Sequence, residues 1–504
     1  SLFPASAKLM IFGHSMPSPI SSRITSMSDL ELCYLPATEA IARFKAKTLS
    51  PVELLEALIH RADQVEPVIN AFTYRHFDEA MANAKKAEAK YASGQRTRAL
   101  EGLPIGIKDE NFIKGKPTSS GSLIMKDFVA DNTSVGNERI LRAGGIVHAR
   151  TATPEFSSAG YTNSRLWGVT RNPWNPEFTP GGSSGGSAAS LASGTSAIAT
   201  GSDIGGSIRI PAGTCGLVGY KPPYGRNSDD PPFNLDFYCH TGPLARNVSD
   251  AIALQNVMCG PHPKDVASLR PKLRLPAQYP PIKDWKIAFS MDLGFFEVDP
   301  DVQKNTLNAL DVFRDLGATV EEVDIGWDHR VLDAGLAYLS HIFGAYMATY
   351  LKDHADKMTN YVRQWAEEAQ KSTAAEFLHT LEVVNEMYAT VGPLLERYRV
   401  LVCPTNALPA VPADFDHSRD TISINGKSVN PALGWVMTTP FNSLSRCPVL
   451  TVPTGHASNG VPTSIQIVGR TYTDKDVFQA GMAYESAAPK WFSDAGHRPG
   501  LAGS

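Results

Sequence analysis

The chain has 504 residues, 42% apolar and 19% charged, with a formal net charge of −4. That is enough apolar material for a large buried core. It offers no basic excess to draw nucleic acid or an anionic membrane surface, and no run of about 18 apolar residues that would span a bilayer.

Residues 1–34 read as an irregular leader. The first 26 mix Ser, Pro and Met and lack the charged start and apolar core of a secretory signal. A single folded domain is expected over residues 35–496, with a tail over 497–504. Ser50-Pro51-Val52-Glu53 forms a capping box with proline in the first helical position, and Leu54, Leu55, Leu58, Ile59 and Ala62 then share one helix face. A second helix is expected from Asp78 to Ser93, stopped by Gly94.

Leu103 to Asp109 reads as a short buried strand that ends in charge. Lys108 closes this apolar run, whereas most lysines are solvated surface groups. Asp109 follows it and should point to the opposite face. A helix ending near Arg142 leads into another buried strand, Gly144 to Ala149. Trp167 to Pro180 is loop, marked by Asn172-Pro173-Trp174-Asn175-Pro176.

Gly181 to Ala212 carries two clusters of glycine and serine, with small residues between them. Glycine lets backbone approach a ligand closely, and serine supplies hydroxyls. A helix is expected over Ala188–Ser193, a strand over Ser196–Thr200 and a tight loop over Gly201–Ser207. Buried structure resumes at Cys215–Tyr220.

Further on, Trp285–Ser290, Asp299–Leu316 and Thr319–Asp324 make a strand–helix–strand unit of the parallel type. Residues 330–398 are helical and rich in aromatics, including Tyr338, Phe343, Tyr346, Tyr350, Tyr361 and Trp365. They suit a helix–helix core or a cover whose side chains line a pocket. Strands at Val400–Thr405, Pro448–Pro453 and Ile465–Val468 and a helix at Asp474–Ser486 complete the chain. The alternation implies an α/β fold, with a large mixed, mostly parallel sheet covered by helices on both faces.

The six cysteines (Cys33, Cys215, Cys239, Cys259, Cys403 and Cys447) include no CxxC pair, and the thirteen histidines show no HExxH spacing. A zinc ribbon and a disulfide framework are therefore disfavoured. No metal or cofactor is expected, and a cytoplasmic setting fits.

Three uses compete for Gly181-Gly182-Ser183-Ser184-Gly185. A flexible linker fails because the stretch runs on into a helix and a strand. A phosphate loop fails because no lysine or arginine occurs between Gly181 and Gly206. A nucleophile elbow matches the letters G-x-S-x-G but lacks a preceding strand. It would also need one of His240, His262, His417 or His456 as base, and it stays as an alternative.

Three segments together resemble the amidase signature family: Gly106-Ile107-Lys108-Asp109, Gly181 to Ser187, and Gly201 to Arg209. The likeness continues through Gly219-Tyr220-Lys221-Pro222, His240 to Arg246, Pro440-Phe441-Asn442 and Gln466 to Arg470, so it covers nearly the whole chain after residue 35. The resemblance implies a Ser–cisSer–Lys triad of Ser207 as nucleophile, Ser183 as bridging serine and Lys108 as base. It also implies an oxyanion hole from the N–H groups of Ile204, Gly205, Gly206 and Ser207, and a cis peptide between Gly182 and Ser183. Ser157 and Ser184 fall on the substrate side, while Gly182, Asp203 and Arg209 are expected to support the turns.

The glutaminase branch of the family, which serves tRNA-dependent amidotransferases, carries threonine and glutamine where this chain has Ile204 and Ile210. The apolar pair favours a stand-alone hydrolase for fairly apolar, non-peptide amides and anilides, with aryl carbamates and esters within reach of the same attack. The alternatives are a urethanase, the glutaminase component of an amidotransferase, and a non-catalytic binding protein on the same scaffold. The expected partner is a small amide or carbamate, without nucleic acid or membrane span, and a homodimer is left open.

Overall fold

The computed structural model describes residues 27–501. Most of the expected leader lies outside them, but its last part is helical. Ser28 caps Asp29–Cys33 through a capping box with Glu31, and Leu32 and Cys33 are buried. Burying those two apolar residues orders a segment whose composition reads as irregular. At the other end, Leu501 packs on the cluster that holds Ala62 and Phe72.

The capping box at Ser50 starts the long helix Pro51–Ile69: Ser50 Oγ accepts from Val52 N–H, and Glu53 Oε2 accepts from Ser50 N–H. The next helix, Phe77–Ser93, ends at Gly94, whose φ of 72° is the left-handed cap that glycine supplies without strain.

Eleven strands form one sheet. In chain order they are β1 (Phe72–Arg75), β2 (Pro104–Lys108), β3 (Ile146–Thr151), β4 (Ile198–Asp203), β5 (Val218–Lys221), β6 (His240–Ala245), β7 (Lys286–Phe289), β8 (Thr319–Glu322), β9 (Val400–Pro404), β10 (Val449–His456) and β11 (Pro462–Gly469). Their order across the sheet is β1-β3-β2-β4-β6-β5-β10-β11-β9-β7-β8. The sheet is mixed and carries helices on both faces, as the sequence implies. Parallel pairing holds in two blocks, β3-β2-β4 and β9-β7-β8. The remaining neighbours are antiparallel, so parallel pairing has a smaller share than the strand–helix alternation suggests. The reason is that β10 and β11 form a hairpin and β6 turns back between β4 and β5. The strand–helix–strand unit is present as expected, with β7 and β8 parallel on either side of the helix Pro300–Asp315.

β4 runs to Asp203, where a loop was expected from Gly201. It pairs with β6 from Ala199 opposite Leu244 to Asp203 opposite His240, and this ladder overrides the weak strand preference of Gly-Ser-Asp. The helix Gly185–Ala192 is buried at every position. A Cβ on Gly186 would fall 2.1 Å from Ala152 N, so only glycine allows this helix to lie against the end of β3.

Apolar side chains gather on both faces of the sheet. One cluster holds Ile105, Ile107, Ile198, Tyr220, Leu450 and Phe478. The other holds Tyr161, Ile210, Leu401, Trp435 and Phe441 together with the cover helices. The cover includes Arg330–Leu339, Asn360–Lys371 and Ala374–Arg397. Its aromatics act as core and as pocket wall: Tyr338 stacks on Tyr238 at a centroid distance of 3.6 Å, while Phe343 and Trp365 border a cavity. No helix among the described residues is long and apolar enough to cross a membrane.

Candidate active site

Lys108 is the last residue of β2, and its side chain is fully buried. Its Nζ lies 2.7 Å from Ser183 Oγ and 2.7 Å from Ser202 Oγ. Glu110 Oε2 stands 3.4 Å from the same nitrogen and accepts a 2.6 Å hydrogen bond from Ser202 Oγ. Burial pushes the Lys108 amine below the usual lysine range, and the Glu110 carboxylate works against that shift. Asp109 points elsewhere, as strand alternation requires, and its carboxylate accepts from Ser119 N–H and Ser119 Oγ–H.

Ser183 occupies the turn that opens the helix Gly185–Ala192. Its peptide with Gly182 is cis. A Cβ on Gly182 would fall 2.4 Å from Tyr161 O, so the turn closes against that backbone only with glycine there. No strand runs directly into Ser183, and its hydroxyl partner is a lysine. The elbow reading therefore loses both its geometry and its histidine. Of the four histidines it could have used, His417 borders the cavity and pairs with Tyr161 Oη at 2.9 Å. His240 is buried beneath the turn, where burial and the nearby Lys221 hold it down to about 3.

Ser207 lies between β4 and the helix Arg209–Cys215, is 6% exposed and borders the cavity. Its hydroxyl forms no hydrogen bond among the described residues, to Ser183 or to any other group. Its carbonyl accepts from Ser184 N–H at 3.2 Å, which ties the two serine turns together. The N–H groups of Ile204, Gly205, Gly206 and Ser207 donate to no acceptor among the described residues. Gly206 has a φ of 133°, and a Cβ there would fall 2.0 Å from Thr438 Oγ1. Four free donors on one glycine turn are the arrangement that stabilises a developing oxyanion.

Asp203 and Arg209 form a buried pair at 2.9 Å, both side chains fully inside. Arg209 also donates to Asn442 Oδ1, Gln466 Oε1 and Thr438 O. Asp203 accepts from Ile208 N–H and Arg209 N–H, which closes the turn around Ser207. Burial alone would raise the Asp203 carboxyl. The Arg209 guanidinium and the Asn442 amide outweigh it and hold the carboxyl at about 2. The pair thus braces the turn from beneath.

Ser157 borders the cavity with a φ of 56°, and its hydroxyl pairs with Thr153 Oγ1 at 2.9 Å. Ser184 is placed otherwise than expected. It does not line the cavity, and its hydroxyl is held by the Ser202 backbone, accepting from Ser202 N–H. The cavity beside Ser207 is small, about 30 Å³. Ile204, Ile210, Leu339, Phe343, Trp365 and Leu433 form its apolar wall.

Sequence reasoning misses Ser202, Glu110, Thr438 and Thr439. Glu110 lies in the turn that follows β2, so strand alternation does not place it beside the lysine. The other three gave no signal either, since their approach to the turn depends on strand register and on a loop more than 200 residues away.

The amidase family model matches residues 53–478. With a buried lysine against Ser183 and a glycine turn beside an apolar cavity, this chain belongs to the amidase signature family and is an amide C–N hydrolase. It is 31% identical over 470 residues to an acylamidase of Rhodococcus erythropolis, covering 92% of this chain and 97% of the relative. It is also 31% identical to one component of the glutamyl-tRNA(Gln) amidotransferase of a Cyanothece species, covering 88% and 96%. Among solved structures, a bacterial aryl acylamidase of the same family superposes with a TM-score of 0.84 at 30% identity, covering 91% of this chain and 97% of the other.

Proposed function

We propose that this protein hydrolyses fairly apolar, non-peptide amides, anilides above all, through an acyl-enzyme on Ser207. The observation that carries the reading is the 2.7 Å contact between a fully buried Lys108 amine and Ser183, next to the free N–H groups of the turn at residues 204–207. A serine hydroxyl is a weak nucleophile and needs a base. A lysine with an ordinary pKa of about 10.4 is a poor base near neutrality, and burial moves Lys108 in the needed direction, downward.

Ser207 Oγ attacks the scissile carbonyl and passes its proton to Ser183 Oγ, while the Ser183 proton moves to Lys108 Nζ. The oxyanion falls against the N–H groups of Ile204, Gly205, Gly206 and Ser207. Ser183 then hands a proton to the leaving nitrogen, and Lys108 replaces it. The amine therefore departs neutral. Water attacks the acyl-enzyme by the same route in reverse. Substrate closes the Ser207–Ser183 contact, since catalytic hydrogen bonds tighten when the Michaelis complex forms.

The apolar wall supports an apolar group beside the carbonyl, with Ser157 at the cavity edge as a polar contact. The names of the acylamidase and the aryl acylamidase agree with this choice. Aryl carbamates and esters present the same carbonyl and are secondary substrates. The glutaminase role within an amidotransferase is favoured by the relatives of that name. The apolar wall of Ile204, Ile210 and Leu433 leaves a glutamine side chain only Ser157, Ser158 and His417 as polar neighbours and favours an apolar group there. A panel of anilides, aliphatic amides, esters, aryl carbamates and glutamine tests the reading. Anilide turnover well above glutamine turnover is expected. Glutamine as best substrate, or turnover of none, contradicts it.

A further inference from the structure

The hydrogen-bond chain at Lys108 continues past the triad, and its far end has a direction. Ser202 has one hydroxyl proton, and it is committed to Glu110 Oε2 at 2.6 Å. Ser202 can therefore only accept from Lys108, whose Nζ lies 2.7 Å from Ser202 Oγ. One lysine N–H is thereby pinned on Ser202. In the neutral amine this turns the nitrogen toward its other neighbour, Ser183, also at 2.7 Å. A carboxylate cannot donate, so Glu110 fixes the sense of every bond in the chain. A Ser202 hydroxyl free to rotate could instead donate to Lys108 and occupy the lone pair that must take the proton from Ser183.

We propose that Glu110 is a positioning residue of the active site: by accepting the Ser202 hydroxyl it orients Ser202 toward Lys108, so that Lys108 acts as a base toward Ser183. The inference rests on the Lys108–Ser183 relay described above. Nothing in the family signature at Lys108-Asp109 predicts a carboxylate two residues past the lysine. Glu110 is built for the task. The chain turns back after β2, with Glu110 N–H donating to Lys108 O at 2.8 Å. Its side chain is 31% exposed and meets, together with Ser202, a second cavity of about 130 Å³. Glu110 thus joins the buried amine to a space open to proton exchange.

The charged and titratable groups that face this chain are few. Asp203 and Cys239 act on Lys108, and Asp229, Asp230 and Tyr346 feel Glu110. Asp203 is neutralised by Arg209. Cys239 is a thiol pushed well above its ordinary range by burial, with Asp229 adding to the effect, so it carries no charge at working pH. Burial likewise raises Asp229 to about 7 and lifts Asp230. Glu110 is therefore the carboxylate in direct contact with the lysine.

The test is the pH profile of kcat/KM on an anilide for wild type, Glu110→Gln, Glu110→Ala, Ser202→Ala and the Glu110→Ala/Ser202→Ala double variant. Glu110→Ala is expected to lower kcat about tenfold to a hundredfold with KM little changed, the scale at which a misplaced reacting group costs rate. In Glu110→Gln the acid limb should move to lower pH, because the negative charge that favours the lysinium ion is gone. Since the orienting effect of Glu110 runs through Ser202, adding Glu110→Ala to Ser202→Ala should cost little further kcat above the acid limb, where its direct charge on Lys108 no longer counts. An unmoved acid limb, or fully additive losses, overturns the proposal while leaving the Ser207 reading intact. Lys108→Met in the same series separates the two: if it keeps near-normal rates, the relay itself fails.

Discussion

Thr438 Oγ1 donates a 2.7 Å hydrogen bond to the carbonyl of Gly205. Thr439 Oγ1 donates to the same oxygen at 2.9 Å. In a trans peptide the N–H points opposite to the carbonyl. The two threonines therefore aim the Gly206 N–H away from themselves and hold it there. A donor fixed in this way costs no reorganisation when an oxyanion develops. Replacing both threonines by valine should cut kcat about a hundredfold and leave KM for an anilide nearly unchanged. Steady-state kinetics checks this, and a loss confined to KM would show that the threonines shape the pocket instead.

The acid limb of the rate profile should belong to Lys108. Burial lowers its pKa, so the amine is neutral in the folded chain at a pH where a free lysine is charged. Activity falls as pH drops and the amine takes up a proton. Between the lowered value and the ordinary one, the unfolded chain binds more protons than the folded chain, so this residue makes stability rise with pH. Lys108→Arg keeps the charge and should lose activity by orders of magnitude without recovery at high pH. Lys108→Met should lose activity and also flatten that slope of stability with pH, read by denaturant unfolding across the range.

Asp203 tests the support beneath the turn. Its carboxyl is held at about 2 against an ordinary 3.8. The stabilisation is therefore full above pH 3.8 and is lost as pH falls through about 2. Asp203→Asn removes the charge and leaves Arg209 buried without its counter-ion, which should cost about 3–5 kcal/mol at neutral pH. Urea unfolding measures it, and the variant's stability should vary less with pH in the acid window. A neutral effect would mean that Asn442 and Gln466 alone suffice for Arg209.

Leu433 and Leu339 border the cavity beside Ser207. Leu433→Ala removes three carbons from its wall. Relative kcat/KM should then shift at least tenfold toward anilides with bulkier groups at the carbonyl, on the scale of about 1–3 kcal/mol per methylene. A homologous substrate series reads the shift, and an unchanged ratio would place the apolar group elsewhere.

Much of this site could be read from one sequence. Lys108 stood out because a lysine ending a fully apolar strand has no solvated surface to occupy, and it is indeed buried. The glycines at 182 and 206 marked close approaches, and any Cβ at these positions would clash with Tyr161 and Thr438. What could not be read are contacts made by register and by distant loops. Ser202 meets Lys108 only because β2 and β4 pair in parallel with Ile105 opposite Ile198. Likewise, β4 extends to Asp203 only because β6 lies along it. Ser184 shows the same limit from the other side: a polar residue next to Ser183 was a fair contact for substrate, but its hydroxyl holds the Ser202 backbone.

In the proposed mechanism Ser207 attacks while Ser183 only carries protons. Labelling with a fluorophosphonate, followed by peptide mapping, tests it most directly. One adduct is expected, on Ser207, formed far more slowly in Lys108→Met and absent in Ser207→Ala. An adduct on Ser183, or persistent labelling of Ser207→Ala at the wild-type rate, would contradict it.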